Sequence, residues 1–170
     1  KLHEIGQSLW LDNITRDLLD NGTLARYIGS GLSITGLTSN PSIFDHAISR
    51  SASYDADVRS LAGQGLAFED LFFELAIADL RRAADLFKPA FAATATVDGW
   101  VSLEVSPLLA YDTEKTLAAA RKLHAKAGRP NLFIKIPGTR EGIPAIEEAT
   151  FQGVPINVTL LFSTAQYQAA

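Results

Sequence analysis

Five short apolar runs punctuate this chain, and helical stretches separate them. That alternation constrains the fold more than any other feature, because strand, helix and parallel strand make a βαβ unit, and consecutive units build a parallel sheet. The runs are Ser8 to Ile14, Ile34 to Asn40, Trp100 to Ser106, Leu132 to Ile136 and Pro155 to Phe162. After the first, Thr15 is the expected N-cap of a helix from about Arg16 to Ile28. After the second, Asn40-Pro41 combines a turn signal with a helix start, since proline suits the first helical position. A helical region of roughly fifty residues follows, clearest where Phe68, Leu71, Phe72, Leu75, Leu80, Ala83 and Phe87 recur at helical spacing.

Between the third and fourth runs, Asp112 or Thr113 caps a helix that ends at Ala127. Glu114 sits in its first turn, Arg121, Lys122 and Lys126 favour its last turns, and Gly128 stops it. Another helix spans about Ile143 to Phe151, and Thr164 onward begins one more. Gly29-Ser30-Gly31 and Gly63-Gln64-Gly65 are turns, because neither completes a dinucleotide fingerprint and no P-loop is present.

Composition removes several classes of function. The net charge of −4 argues against a generally nucleic-acid-binding surface. There are no cysteines, so neither disulfides nor thiolate chemistry arise. His3, His46 and His124 lie far apart and have no metal-ligand spacing. No apolar run approaches the roughly 18 residues a membrane helix needs, and the first residues do not resemble a signal peptide. A cytoplasmic protein is the default expectation, with no membrane and no nucleic-acid partner.

Lys135 stands out within the fourth run, Asn131-Leu132-Phe133-Ile134-Lys135-Ile136-Pro137-Gly138. Lysine is seldom buried unless paired or used. Desolvation favours the neutral amine, which is a nucleophile able to form a Schiff base with a carbonyl. The structural alternative is a lysine that snorkels or pairs with a carboxylate. Side chains alternate along a strand, and the alternation sorts the polar groups onto one face. Glu104 shares a face with Ser102 and Ser106, opposite Val101, Leu103 and Val105. Asn157 and Thr159 lie opposite Ile156, Val158 and Leu160. Thr38 and Asn40 lie opposite Leu37, and Asp12 opposite Leu11. These groups fall toward the C-terminal halves of their strands, where active sites of barrels and open α/β sheets form. Each also has a structural alternative. Asp12 could cap the next helix, Asn40 is a common turn and cap residue, Glu104 could pair with Lys135, and Thr159 is an ordinary strand residue.

Leu37-Thr38-Ser39-Asn40-Pro41-Ser42-Ile43-Phe44, the Lys135 run, and Ile156-Asn157-Val158-Thr159-Leu160-Leu161-Phe162-Ser163 resemble the sequence blocks of transaldolase. Ser8 to Asn13 and Ser102 to Pro107 resemble its longer bacterial type. The resemblance runs through essentially the whole chain. It implies an α/β fold, a (β/α)8 TIM barrel of which this chain supplies about the first five strands, as a single partial domain over residues 1–170. It also implies a transferase of the non-oxidative pentose phosphate pathway, needing no metal or cofactor. The enzyme would move a dihydroxyacetone unit from sedoheptulose 7-phosphate or fructose 6-phosphate to an aldose phosphate. Its partners would be sugar phosphates, and a homo-oligomer is compatible with it.

By position, Lys135 would be the Schiff-base lysine and Asp12 would transfer the proton at the hydroxyl where the carbon bond breaks. Glu104 would act through a water during carbinolamine formation and dehydration, and Thr159 would help hold that water. Asn40 and Asn157 would bind hydroxyls of the dihydroxyacetone part, with Thr38 adding a contact. The departure from the family is that five strands stand where a barrel needs eight. The residues are therefore expected to come from a longer protein, with the phosphate-binding serine and arginines beyond Ala170. The isolated piece is expected to be poorly soluble and weakly active or inactive. Two alternatives remain open at this point: another class I Schiff-base aldolase, and an inactive barrel piece.

Overall fold

The computed structural model describes residues 2–29 and 32–170. Its five strands are β1 (Trp10–Asp12), β2 (Gly36–Thr38), β3 (Trp100–Glu104), β4 (Leu132–Pro137) and β5 (Ile156–Thr159), ordered in the sheet as they occur in the chain. Neighbours in chain order joined through helices is the connectivity with which a (β/α)8 barrel begins. Each strand is shorter than its apolar run, apart from β4, which extends through Pro137. Backbone contacts divide the chain into two compact units, residues 1–101 and 102–170.

In the first unit, β1 pairs in parallel with β2, and β2 with the start of β3. The expected helix from Arg16 to Ile28 is two helices, α1 (Arg16–Asp20) and α2 (Thr23–Gly29). The break lies at Asn21-Gly22, where Gly22 adopts φ +72°, a left-handed backbone that ends a helix and costs glycine little. Thr15 does cap α1, its hydroxyl accepting from the Leu18 N–H at 3.1 Å. The long helical region resolves into α3 (Pro41–Arg50), α4 (Asp55–Gly63) and α5 (Phe68–Ala93). Ala47, Tyr54 and Leu75 form a buried cluster, with Ile48, Val58, Leu61 and Leu71 packed on it. Gly63-Gln64-Gly65 does end α4 in a turn, whereas Ser30 and Gly31 lie outside the described residues.

A buried polar network that periodicity did not suggest runs through this unit. The Arg16 guanidinium donates to Asp79 at 3.1 Å and to Asp57 at 2.6 Å, and lies 4.3 Å from the centre of the Tyr54 ring. The Tyr54 hydroxyl donates to Asp79 at 2.7 Å and accepts from the Arg16 N–H at 2.9 Å. Burial pushes the Asp79 carboxyl up, while Tyr54 and Arg16 pull it partly back. Burial also raises the Tyr54 hydroxyl, and its hydrogen bond to Asp79 adds to the rise. The signal that could have revealed Asp79 is its place on the apolar stripe of α5, four residues after Leu75 and four before Ala83.

In the second unit, α6 (Thr113–Ala127) starts and stops as its sequence dictates: the Asp112 carboxylate accepts from the Lys115 N–H at 3.0 Å, and Gly128 takes a left-handed backbone. α7 (Gly142–Phe151) follows β4, and α8 (Thr164–Ala169) follows β5. Ser163 and Gln166 make a reciprocal cap on α8. The Ser163 hydroxyl accepts from the Gln166 N–H at 3.1 Å, and the Gln166 amide oxygen accepts from the Phe162 N–H at 3.0 Å. Leu103 of β3 and Val105 just after it are buried, as are Leu132, Ile134 and Ile136 of β4. No helix among the described residues is long and apolar enough to cross a membrane.

Candidate active site

In the second unit, three strands carry the polar groups. β4 presents Lys135 between the fully buried Ile134 and Ile136. Its ammonium lies 3.2 Å from a Glu104 carboxylate oxygen, with the two side chains only 12% and 18% exposed. A pair this sheltered is neither a solvated surface contact nor sealed from a ligand. The Val105 N–H donates to the Lys135 carbonyl at 3.2 Å, which anchors the end of β3 beside the lysine. On the other side, Lys135 is in register with Asn157, and Pro137 with Thr159. Register partners in a parallel pair point to the same face with strands about 4.8 Å apart, so Asn157 flanks the lysine and Thr159 lies two residues further along. The Thr159 hydroxyl oxygen is buried and has no protein hydrogen-bond partner, which leaves it free to serve a bound group.

This arrangement brings a lysine, a carboxylate, an amide and a hydroxyl onto adjacent strands. A lysine next to a carboxylate can pass it a proton and become the neutral amine that attacks a carbonyl. The structural alternative for Glu104, an ion pair with Lys135, is therefore present as geometry.

In the first unit, Asp12 ends β1 and is exposed, in register with the half-buried Thr38. Asp12 is not the cap of α1, since Thr15 fills that position. Asn40 follows β2 with an extended backbone and caps α3, its side-chain oxygen accepting from the Ile43 N–H at 3.0 Å. The cap role that a turn residue before proline suggests is thus real, and it leaves the Asn40 amide N–H groups for other partners. Asn40 also lines an open cleft of about 360 Å³ with Asn13, Thr15, Ser42, Ile43 and His46.

Two kinds of comparison place the chain among known proteins. Residues 9–170 match the family model described as transaldolase/fructose-6-phosphate aldolase. Transaldolase 2 of Nostoc punctiforme is 43% identical over 98% of this chain and 44% of its own length. The transaldolase of Thiobacillus denitrificans is 50% identical over 97% of this chain and 46% of its own length. That of Thermobifida fusca is 46% identical over 99% of this chain and 46% of its own length. The chain spans a little under half the length of these relatives.

Proposed function

The chain belongs to the transaldolase/fructose-6-phosphate aldolase family, whose fold is a (β/α)8 barrel, and we propose that it carries the Schiff-base half of a transaldolase reaction. The observation that supports this best is Lys135, sheltered on β4, 3.2 Å from Glu104 and in register with Asn157.

In the proposed cycle, Lys135 loses a proton and its amine attacks the carbonyl carbon of a ketose phosphate, sedoheptulose 7-phosphate or fructose 6-phosphate. The carbinolamine expels water to give an iminium, with Glu104 moving protons through a water that Thr159 helps to hold. The iminium withdraws electrons from the neighbouring carbon bond. Asp12 takes the proton from the hydroxyl on the departing carbon as that bond breaks, and the electron pair is held as an enamine on Lys135. The shortened aldose leaves, an aldose phosphate acceptor takes its place, and the steps run backward to release a new ketose. Asn40, Asn157 and Thr38 would hold the hydroxyls of the dihydroxyacetone unit. A cytoplasmic setting belongs to the same proposal.

A second reading is an aldolase that cleaves and adds without transfer, because the matched family description spans both activities. The test begins with borohydride trapping of the protein with fructose 6-phosphate, followed by peptide mapping. A dihydroxyacetone-sized adduct on Lys135, absent in Lys135→Met, is the expected result, and no adduct in the unsubstituted protein would overturn the mechanism. Product analysis with and without an aldose phosphate separates the two readings. Turnover that requires the acceptor means transfer, and free dihydroxyacetone in its absence means cleavage.

A further inference from the structure

β5 ends in a strained backbone. Leu160 directly follows Thr159 and has φ +59°, a left-handed conformation that penalises a residue with a Cβ and that glycine adopts readily. Burial of its side chain does not hold Leu160 there, because the residue is 51% exposed. The neighbouring backbone does. The Gly138 N–H donates to the Thr159 carbonyl at 2.7 Å, immediately after the register pair of Pro137 and Thr159. Leu161 then lies against Gly138 so closely that a Cβ on Gly138 would sit 2.5 Å from Leu161 Cδ2 and 3.3 Å from the Thr159 carbonyl oxygen. A side chain on Gly138 would have to displace the end of the Leu161 side chain and would press on the Thr159 carbonyl. Thr159 is thus clamped by Gly138 on one side and followed by strain on the other, and its buried hydroxyl has no protein partner of its own. Strain of this kind persists where the surroundings over-determine it, and it concentrates at functional sites.

We propose that Gly138 and Leu160 form a backbone latch that positions the Thr159 hydroxyl for imine formation at Lys135, which makes both positioning residues. This rests on the Schiff-base mechanism proposed above. Gly138 directly follows β4, three residues after Lys135, and Leu160 directly follows β5, one residue after Thr159. The hydrogen bond between Gly138 and Thr159 therefore carries the β4–β5 register one residue beyond the end of β4. The latch makes and breaks no covalent bond and acts only through Thr159. A misplacement of about 1 Å can cost about 100-fold in rate.

The test compares Leu160→Val, Leu160→Gly, Gly138→Ala, Thr159→Val and the Gly138→Ala/Thr159→Val double variant. Two readouts are taken: the single-turnover rate of borohydride-trappable adduct with fructose 6-phosphate, and the exchange protection of the Gly138 amide. A β-branched residue resists the left-handed region and glycine accepts it. Leu160→Val and Gly138→Ala are expected to slow adduct formation about 10- to 100-fold, and Leu160→Val to lose Gly138 amide protection. Leu160→Gly is expected to keep the rate within about threefold, and the double variant to be no slower than Thr159→Val alone. Because Leu160 is half exposed, its two variants create no buried clash and remain informative if Gly138→Ala fails to fold. The latch is overturned by Leu160→Val forming adduct at the unsubstituted rate, or by the losses of Gly138→Ala and Thr159→Val multiplying. Failure of the Schiff-base mechanism is a different result: the unsubstituted protein then traps nothing on Lys135, and the latch falls with it.

Discussion

Replacing Asp79 with alanine removes a carboxylate that is 1% exposed and accepts from both Arg16 (3.1 Å) and Tyr54 (2.7 Å). The guanidinium it leaves behind is only 10% exposed, so water cannot replace the lost partner freely. Arg16 does keep Asp57 at 2.6 Å and the Ser53 carbonyl at 3.1 Å. Asp57 is 56% exposed and well solvated, so it compensates only in part. Breaking one side of a buried pair costs about 3–5 kcal/mol, and the partners that remain put Asp79→Ala near 3 on that scale. Asp79→Asn keeps an acceptor for Tyr54 or Arg16 and should cost about half as much, in line with burial favouring the neutral carboxyl. Replacing both charges, Arg16→Met with Asp79→Leu, should recover most of the loss, because no unpaired charge is left in the core. Urea unfolding of the protein, Asp79→Ala, Asp79→Asn, Arg16→Met, Asp79→Leu and the double variant measures these values. A cost for Asp79→Ala under about 1 kcal/mol, or a double variant whose loss equals the sum of the singles, would refute the view that this network is a single buried unit.

Other outcomes follow from the same geometry. Asn40→Ser keeps an oxygen to cap α3 and should change stability by less than about 0.5 kcal/mol. It should raise KM for the ketose about tenfold if the Asn40 amide binds a substrate hydroxyl, so steady-state kinetics alongside unfolding separates cap from site. Glu104→Gln should slow adduct formation on Lys135 by about 10²- to 10⁴-fold while the chain still folds, and an unchanged trapping rate would remove Glu104 from the chemistry. Burial lowers the His124 pKa from 6.5, and its Nε2 is buried without a hydrogen-bond partner. The unfolded chain then binds that proton more readily than the fold does. Stability should therefore fall as pH drops below about 6.5 and level off once the pH passes below the folded pKa. The His124→Gln variant should show a shallower fall over that window, and identical pH profiles for the two proteins would contradict this.

Much of the architecture was legible in one dimension. Strand runs such as Leu132 to Ile136 carry their own apolar pattern, and α6 carries its cap in Asp112 and its stop in Gly128. Such signals act over a few residues and survive in any context. Membership of a family was legible too, because motifs around Asn40, Lys135 and Asn157 keep their order along the chain. Other features had no local signature. The break at Gly22 was hidden inside a helical pattern, since whether a glycine interrupts a helix depends on what the two halves pack against. Nothing near Asp79 in the sequence points to Arg16 and Tyr54, distant along the chain, which the fold brings to it. The lysine itself was conspicuous, but its pairing with Glu104 at 3.2 Å and its register with Asn157 are set by strand alignment. So are the clamp between Gly138 and Thr159 and the left-handed turn at Leu160. Periodicity along a chain determines which residues form a strand and which way they face. The relative slide of two strands, and so which side chains meet, is decided only when hydrogen bonds between them form.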